Sequence, residues 1–428
     1  MATEHAQVGR PSARLSGDFW RFWTGQTVSN LGSSFTQFAL PLLVYKLTGS
    51  ALNLAISSAA DFLPYLLFGL VIGAWVDRVD RKRLMIWTDL LRALVIAAIP
   101  ILYALHALSV WWIYALGFVS STLTIFFNAG EFAAIPSLVE GDDLVTANGR
   151  IQASYSAASV VGPLLAGALL AARTPLQTVF LVDAASFLVS ALSLALVRAR
   201  FNTDETRERA SVRRDIVEGL RYVLGHPVLR NISAMMALVN FVGGSQWAEL
   251  VLFAKQRLGA DDARVGALYS AGSVGVIVLS LLAGPLRKRF SFSKVALSAL
   301  MLSGLLGVLL ALTSWYWGAL VLWALMSGLG ILFNINTGSL RQAIVPNHML
   351  GRVMSIAGVL AWSAIPVGTF IGGVAIQVTH NVALVYGAIG VLTFLIPLAF
   401  SFTALGHAER YLSAVDGAAA EELEPAAS

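Results

Sequence analysis

Twelve nearly uncharged stretches, each about as long as a membrane is thick, follow one another along this chain of 428 residues. No other feature restricts the fold as strongly. A helix needs about 20 apolar residues to cross the hydrocarbon core, whereas a barrel strand needs about 10. Inside the bilayer every backbone N–H and C=O must be satisfied within the protein, which leaves helices and closed barrels. Segments of this length therefore predict helices, at 19–46, 51–76, 84–106, 110–137, 148–172, 176–198, 231–255, 263–285, 294–313, 316–340, 351–378 and 381–405. Charged residues make up 12% of the chain, about half the share usual in a soluble protein. The expected class is an all-α membrane protein of twelve transmembrane helices.

Several function classes fall away. With no cysteine, disulfides and thiolate metal sites are excluded. The six histidines (His5, His106, His226, His348, His380, His407) are scattered at inferred loops and span ends, so no metal or other cofactor is expected. There is no Gly-rich phosphate loop closing in Gly-Lys-Ser/Thr, and no His-Glu-x-x-His pair, so ATP-driven transport and enzymatic function are not expected. A channel would need a selectivity filter or charged ring, and none is visible. The net charge of +5 does not indicate nucleic acid, because the cations sit in interhelical loops rather than on one face. Residues 1–18 are polar and lack an apolar core before a small-residue cleavage site, so the first span is expected to act as the targeting signal.

Charge also orients the spans. Of 29 Lys and Arg, 23 fall in segments on the side of the N-terminus, five (Lys46, Arg173, Lys255, Arg257, Arg264) on the other, and Arg92 inside a span. Arg341 is counted here with the loop cations. Cytoplasmic loops carry the excess of Lys and Arg, which predicts both termini in the cytoplasm.

The two halves look repeated. Gly73 corresponds to Gly284 and Pro136 to Pro346, at offsets of 211 and 210; Gly149-Arg150-Ile151 and Gly351-Arg352-Val353 open the fifth and eleventh spans. A polar insert separates them, so the expected organisation is a six-helix half (1–198), a cytoplasmic linker (199–230), a second six-helix half (231–405) and a tail (406–428). Within the linker, Ile216, Leu220 and Val223 at helical spacing predict a short amphipathic helix, either on the membrane surface or solvated. Two pseudo-symmetric halves are the plan of a secondary transporter with its substrate site between them.

The block Gly73-Ala-Trp-Val-Asp77-Arg78-Val-Asp80-Arg81-Lys82-Arg83, after the second span, resembles the loop signature G-x-x-x-D-R-x-x-R-R of the major facilitator superfamily, with Lys82 in place of the usual arginine. Leu40–Ser50, Ile135-Pro136 through Ala147-Asn148, and Gly162-Pro163-Leu-Leu-Ala-Gly167 are similar to a narrower group, the drug:proton antiporters of the macrolide-efflux type. That group also resembles enterobactin exporters and lysophospholipid transporters. The resemblance runs over about residues 15–405. It implies the major facilitator fold, with Gly73, Asp77, Arg78, Arg81 and Lys82 as a cytoplasmic gate. Asp77 would face the start of the eleventh span, and Arg78 and Arg81 would pair with Glu140, Asp142 or Asp143. It further implies an antiporter-type fifth helix around Gly162, Pro163 and Gly167. The second-half copy, Gly284–Arg289, has no carboxylate matching Asp77, so the latch is expected in one half only.

An ionisable group at membrane depth is a functional candidate by default. Five carboxylates qualify: Asp61, Asp89, Glu131, Asp183 and Glu249. Asp89 stands three residues from Arg92, and an internal ion pair is the favoured reading. Asp183, towards the outer end of its span, suggests a hydrated or capping role. In this fold the first, fourth, seventh and tenth helices line the cavity, which puts Glu131 first as proton carrier, with Glu249 and Asp61 as runners-up. Asn30, Gln37, Asn128, Asn240, Gln246 and Asn334 are the candidate cavity amides. Mixed amide and aromatic surfaces suit amphiphilic substrates. The expected function is proton-driven export of amphiphilic, drug-like molecules from the bacterial cytoplasm by a monomer whose partners are substrate, protons and lipid. A siderophore exporter, or a lysophospholipid transporter or flippase, is the alternative.

Overall fold

A computed structural model describes residues 16–76, 79–139, 144–202 and 212–409. The chain there forms helices and turns, and no strand occurs among the described residues. The helices are α1 (Gly17–Thr48), α2 (Ala51–Val76), α3 (Arg81–Ala104), α4 (Val110–Leu138), α5 (Leu144–Ala171), α6 (Leu176–Leu196), α7 (Val212–Gly225), α8 (Pro227–Ala248), α9 (Leu250–Gln256), α10 (Asp262–Arg289), α11 (Phe292–Leu312), α12 (Tyr316–Ile344), α13 (Asn347–Trp362), α14 (Ala364–Thr379) and α15 (Val382–Ser401). Ten segments are long and apolar enough to cross a membrane, and the pair α8–α9, bent by 49° at Glu249, makes an eleventh.

The remaining pass is α1, too polar to qualify by composition. Its first turn holds Asp18 against the backbone N–H groups of Arg198 and Ala199 beyond α6, at 3.0 and 2.8 Å. Its last turn brings Lys46 onto Asp262 at the start of α10. It therefore runs the full depth beside α6. Its small and polar residues face other helices: Gly25 and Gly32 lie directly against Ser193 and Ser186 of α6. We call the face where α1 begins, with Arg81–Arg83, the basic face.

Local chemistry sets the helix ends. Ser16 caps α1, accepting from the Phe19 N–H at 3.1 Å. Asp80 caps α3 through the Arg83 N–H, and Asp261 caps α10 through the Arg264 N–H; each satisfies a first-turn donor that has no helical partner. Gly49 closes α1 at φ 60°, a left-handed conformation that glycine adopts without a steric penalty.

The packing repeats. α1 packs on α5 and α6, α3 on α4 and α6, and α2 on α4. In the second half α8 packs on α14 and α15, α11 on α12 and α15, and α10 on α12. Adding six to the pass number converts the first set into the second. The main contacts between halves, α2 with α14 and α5 with α10, also exchange under that rule, and so do the residues in them. Gly373 meets Ala55 of α2, and Gly266 meets the Pro163 carbonyl of α5; Ala55 relates to Gly266, and Pro163 to Gly373, by the same 210–211 offset.

Among the described residues the halves join mainly opposite the basic face. A single apolar cluster crosses the divide opposite the basic face, including Phe38, Phe180, Leu250, Phe253, Val265 and Tyr386. Polar links reinforce it: Asp262 takes Lys255 at 2.6 Å as well as Lys46, and Ser50 donates to Gln377 at 3.3 Å. Towards the basic face each half keeps a separate cluster, with Phe19, Met85 and Leu138 in one and Met235, Phe333 and Val353 in the other. Among the described residues the halves are packed together opposite the basic face and keep separate clusters towards it.

Two expectations change here. The linker helix α7 packs on α8 and α13, with Val223 in their core cluster and Val217 and Leu224 left exposed, so it is not a free solvated helix; the Ile216 side chain lies outside the described residues. Arg341 is not a loop cation: α12 continues to Ile344 and leaves Arg341 5% exposed.

Candidate functional site

Glu131 sits two turns from the basic-face end of α4. Buried itself, it accepts a hydrogen bond from the Tyr155 hydroxyl of α5 at Oε2, 2.8 Å, while Oε1 has no partner. Phe132, its neighbour, is 81% exposed. A hollow of about 530 Å³ lies between α4 and α5, lined by Asn128, Glu131, Ile135, Asn148, Gln152 and Tyr155 among others. One carboxyl oxygen is thus held by the protein and the other is uncommitted.

Behind Glu131 lies a buried polar network. Arg92 of α3 bonds Asp89 at 3.4 Å, as the i,i+3 spacing predicts. Its guanidinium stacks over Phe187 at 4.0 Å and approaches Phe127 at 5.5 Å, contacts that favour a cation over a ring face. Asp89 also accepts from Ser190, which accepts from Gln26 of α1. Arg92 is within electrostatic reach of Glu131, Asp183, Tyr65 and Tyr155. One guanidinium therefore serves three buried carboxyl groups. Asp183 is neither hydrated nor a cap: it is 1% exposed inside α6, packed under Gly32 of α1 and bonded by Ser186. The absence of a side chain at Gly32 lets α1 cover it.

The other candidates separate. Glu249 is fully buried at the α8–α9 break, against Gly373 on the closed side, and neither carboxyl oxygen has a partner. Asp61 lies along α4, its carboxyl over Gly117 and its carbonyl accepting from Ser121. Among the amides, Asn128 lines the hollow. Asn30 adjoins Tyr155, and Gln37, exposed, follows it two turns along α1. Asn334 is exposed on α12. Asn240 instead donates to the Ala361 carbonyl at 2.9 Å, tying α8 to α13. Gln246 points its amide towards Gly307 of α11, inside the second half, and is not a cavity group.

In the loop block, Asp77 and Arg78 lie outside the described residues, as do Glu140, Asp142 and Asp143, the expected partners of Arg78 and Arg81; Gly73 is near the end of α2. Arg81 donates to the Phe201 carbonyl at 3.1 Å and Lys82 to the Val197 carbonyl. Lys82 thus meets the carbonyl of the residue that caps α6, a favourable place for a cation, and Arg81 that of the segment beyond it. On α5, Gly162 packs on Ser34 of α1 within the half, while Pro163 and Gly167 pack across the divide on Gly266 and Ala263. Among the described residues no three His, Cys, Asp or Glu side chains are placed to hold a metal.

Two buried or half-buried polar residues on the cavity-side helices escape a reading of the sequence. Tyr155 bears no charge and is 24 positions from Glu131 on another helix. Arg341 did leave a signal: the repeat offset of 210 carries Glu131 onto it.

A two-half helical membrane protein, closed on one face around small-residue contacts and open on the other beside a buried acid, is a transporter of the major facilitator type and not an enzyme. The chain belongs to the transmembrane secretion effector family, which it matches over residues 12–420. It is 27% identical to macrolide efflux protein A of Streptococcus pyogenes over 356 residues, 82% of this chain and 87% of that protein. It is 29% identical to the multidrug efflux pump Tap of Mycolicibacterium fortuitum, covering 80% and 85%. In structure it resembles the nucleoside transporter NupG (TM-score 0.75, 10% identity, 90% and 98% covered). It also resembles a bacterial homologue of the lysosomal transporter Spinster, solved inward-facing and occupied (TM-score 0.71, 14% identity, 92% and 96% covered). At these identities the solved structures speak for the fold alone. The chain is a multi-pass membrane protein of a bacterial transporter family.

Proposed function

We propose that this protein exports amphiphilic, drug-like molecules from the cytoplasm by alternating access, in exchange for protons. The observation that carries this reading is Glu131, a buried acid with one uncommitted oxygen at a hollow between α4 and α5. With the basic face in the cytoplasm, as the loop charges suggest, and both termini there, the state described is open inwards. A cationic amphiphile entering the hollow meets Glu131 and the exposed ring of Phe132, with Asn128 beside them. The charge inventory supports proton exchange: Arg92 can balance one of the three carboxyls Asp89, Glu131 and Asp183. Unbalanced buried charge is costly, so the neutral network holds two protons, and Glu131 is the member at the hollow. The curated relatives named as macrolide and multidrug efflux pumps support the substrate class.

The test is Glu131→Gln in proteoliposomes. The variant keeps the shape and a hydrogen-bonding oxygen but cannot ionise. pH-driven drug transport should be abolished while the protein remains folded and monodisperse; normal pH-driven transport would sink the proposal.

A further inference from the structure

The two halves carry opposite charges at matching places. The offset of 210 that relates Pro136 to Pro346 also relates Glu131 to Arg341. Glu131 is on α4 and Arg341 on α12, the fourth and tenth passes. Both are buried, at 6% and 5% exposure, and each has a polar atom without a partner, Oε1 and Nε. Arg341 donates from Nη2 to the Met236 sulfur of α8 at 3.0 Å, a weak acceptor. Among the described residues it forms no ion pair. A buried guanidinium with no counter-ion is unfavourable. It is the expected state of a group whose partner is elsewhere in this conformation.

Where the partner lies follows from the architecture. In this fold each six-helix half contains two inverted three-helix repeats, so the first pass corresponds to the fourth and the seventh to the tenth, turned over in the membrane. Opposite the basic face, α1 meets α9, the first pass against the seventh. Turned over, that contact becomes the fourth against the tenth, α4 against α12, at the basic face. The acid and the base stand at twofold-related positions on those two helices.

We infer that Glu131 and Arg341 pair across the two halves when the basic face closes, and that protonation of Glu131 releases the pair. This rests on the alternating-access reading above. With Glu131 ionised, carboxylate and guanidinium attract and hold the face shut. A proton taken up from the opposite side converts the carboxylate to a neutral acid. The attraction is then lost and the face opens, and the proton departs to the basic side as substrate enters. The groups facing Glu131 are Tyr155 of α5 and Arg92 with Asp89 of α3; Asp183 of α6 and Tyr65 of α2 stand near Arg92. None of them belongs to the second half, so none can couple Glu131 to the closing of the divide.

The chain has no cysteine, so introduced pairs report cleanly. Gln152→Cys on α5 and Gln342→Cys on α12, both exposed, are bridged by a short bismaleimide across the basic mouth in proteoliposomes. In the otherwise unaltered protein the yield, taken relative to the single-cysteine labelling measured at the same pH because the thiolate is the reacting form, should rise between pH 5 and pH 8. Glu131→Gln and Arg341→Gln should each lower the pH 8 yield about tenfold or more, in line with close charge pairs at interfaces. The swapped variant Glu131→Arg with Arg341→Glu should recover it. An undiminished rise in Arg341→Gln, or no recovery in the swap, overturns the pair. Should Arg341→Gln fail to reach the membrane, Glu131→Gln and the swap decide alone, since the first leaves Arg341 in place and the second keeps one charge of each sign at the two positions. Failure here leaves pH-driven transport dependent on Glu131, whereas failure of the export reading shows as transport that ignores Glu131→Gln, so the two are distinguishable.

Discussion

The contact of α5 with α10 offers a calculable perturbation. Gly266 lies so close to α5 that a Cβ built on it would stand 2.4 Å from the Pro163 carbonyl oxygen, against 3.4 Å for ordinary contact. The obstacle is backbone, so Gly266→Ala cannot be absorbed by a side-chain rotation. The two helices must part by about 1 Å on the closed side. Overpacking of this kind typically costs about 1–3 kcal/mol, and the penalty applies only to the state in which α5 and α10 touch there. The closed-opposite-face state should therefore lose population by roughly 5- to 150-fold relative to its alternative. Ser50→Cys with Gln377→Cys, whose native side chains share a hydrogen bond across that face, reports the population through disulfide yield. Gly266→Ala should reduce that yield within this range, whereas Gly330→Ala on α12, with no atom within 4 Å of its Cβ position, should leave it unchanged. Equal yields in Gly266→Ala and the parent would show that this contact does not hold the face closed.

Three more outcomes follow from named contacts. Asp262→Asn removes the anion that joins Lys46 of α1 to Lys255 of α9; the pairs are partly exposed, worth about 0.2–1 kcal/mol each, so the same disulfide yield should fall by a few-fold. High salt should bring the parent towards the variant. Tyr155→Phe removes the one hydrogen bond that Glu131 accepts. Bonds to charged groups are worth about 1.5–3 kcal/mol, so pH-driven transport should drop roughly 10- to 100-fold while drug binding measured by fluorescence quenching persists. Glu409 accepts from the Ser293 N–H and hydroxyl at 2.9 and 3.0 Å. Burial opposes its ionisation, but these bonds outweigh burial and hold the carboxyl below its usual range. A depressed folded value stabilises above the unfolded one, near 4.5, and that stability is lost as pH falls through the folded value. The melting-temperature gap between the parent and Glu409→Gln should hold at neutral pH and close below about pH 4.5.

Most of the architecture was legible because the bilayer leaves so little choice. A backbone that must satisfy its own hydrogen bonds turns each long apolar stretch into a helix, and the Gly73–Gly284 and Pro136–Pro346 correspondences already carry the repeat. Glu131 was legible for a related reason, since an acid at membrane depth is costly enough to need a purpose. Its setting was not, because Tyr155 reaches it from another helix and only packing aims a hydroxyl. Asp183 was misread because its cover comes from α1, through a glycine at position 32 that periodicity does not single out. Arg341 was misread because a span boundary drawn from hydropathy stops at the first cation, and so hides a charge that lies inside. Gln246 and Asn240 stand on a cavity helix, but their side-chain directions follow from tertiary neighbours, Gly307 and Ala361.

The most direct test of the central claim is proton movement coupled to drug movement. Purified protein in liposomes loaded with a pH-sensitive dye, with no gradient imposed, is given a macrolide, and the signal of protein-free vesicles is subtracted. Exchange through Glu131 predicts proton flow opposite to the drug, and its disappearance in Glu131→Gln. Drug transport with no accompanying proton flow, or with flow unchanged in that variant, would contradict it.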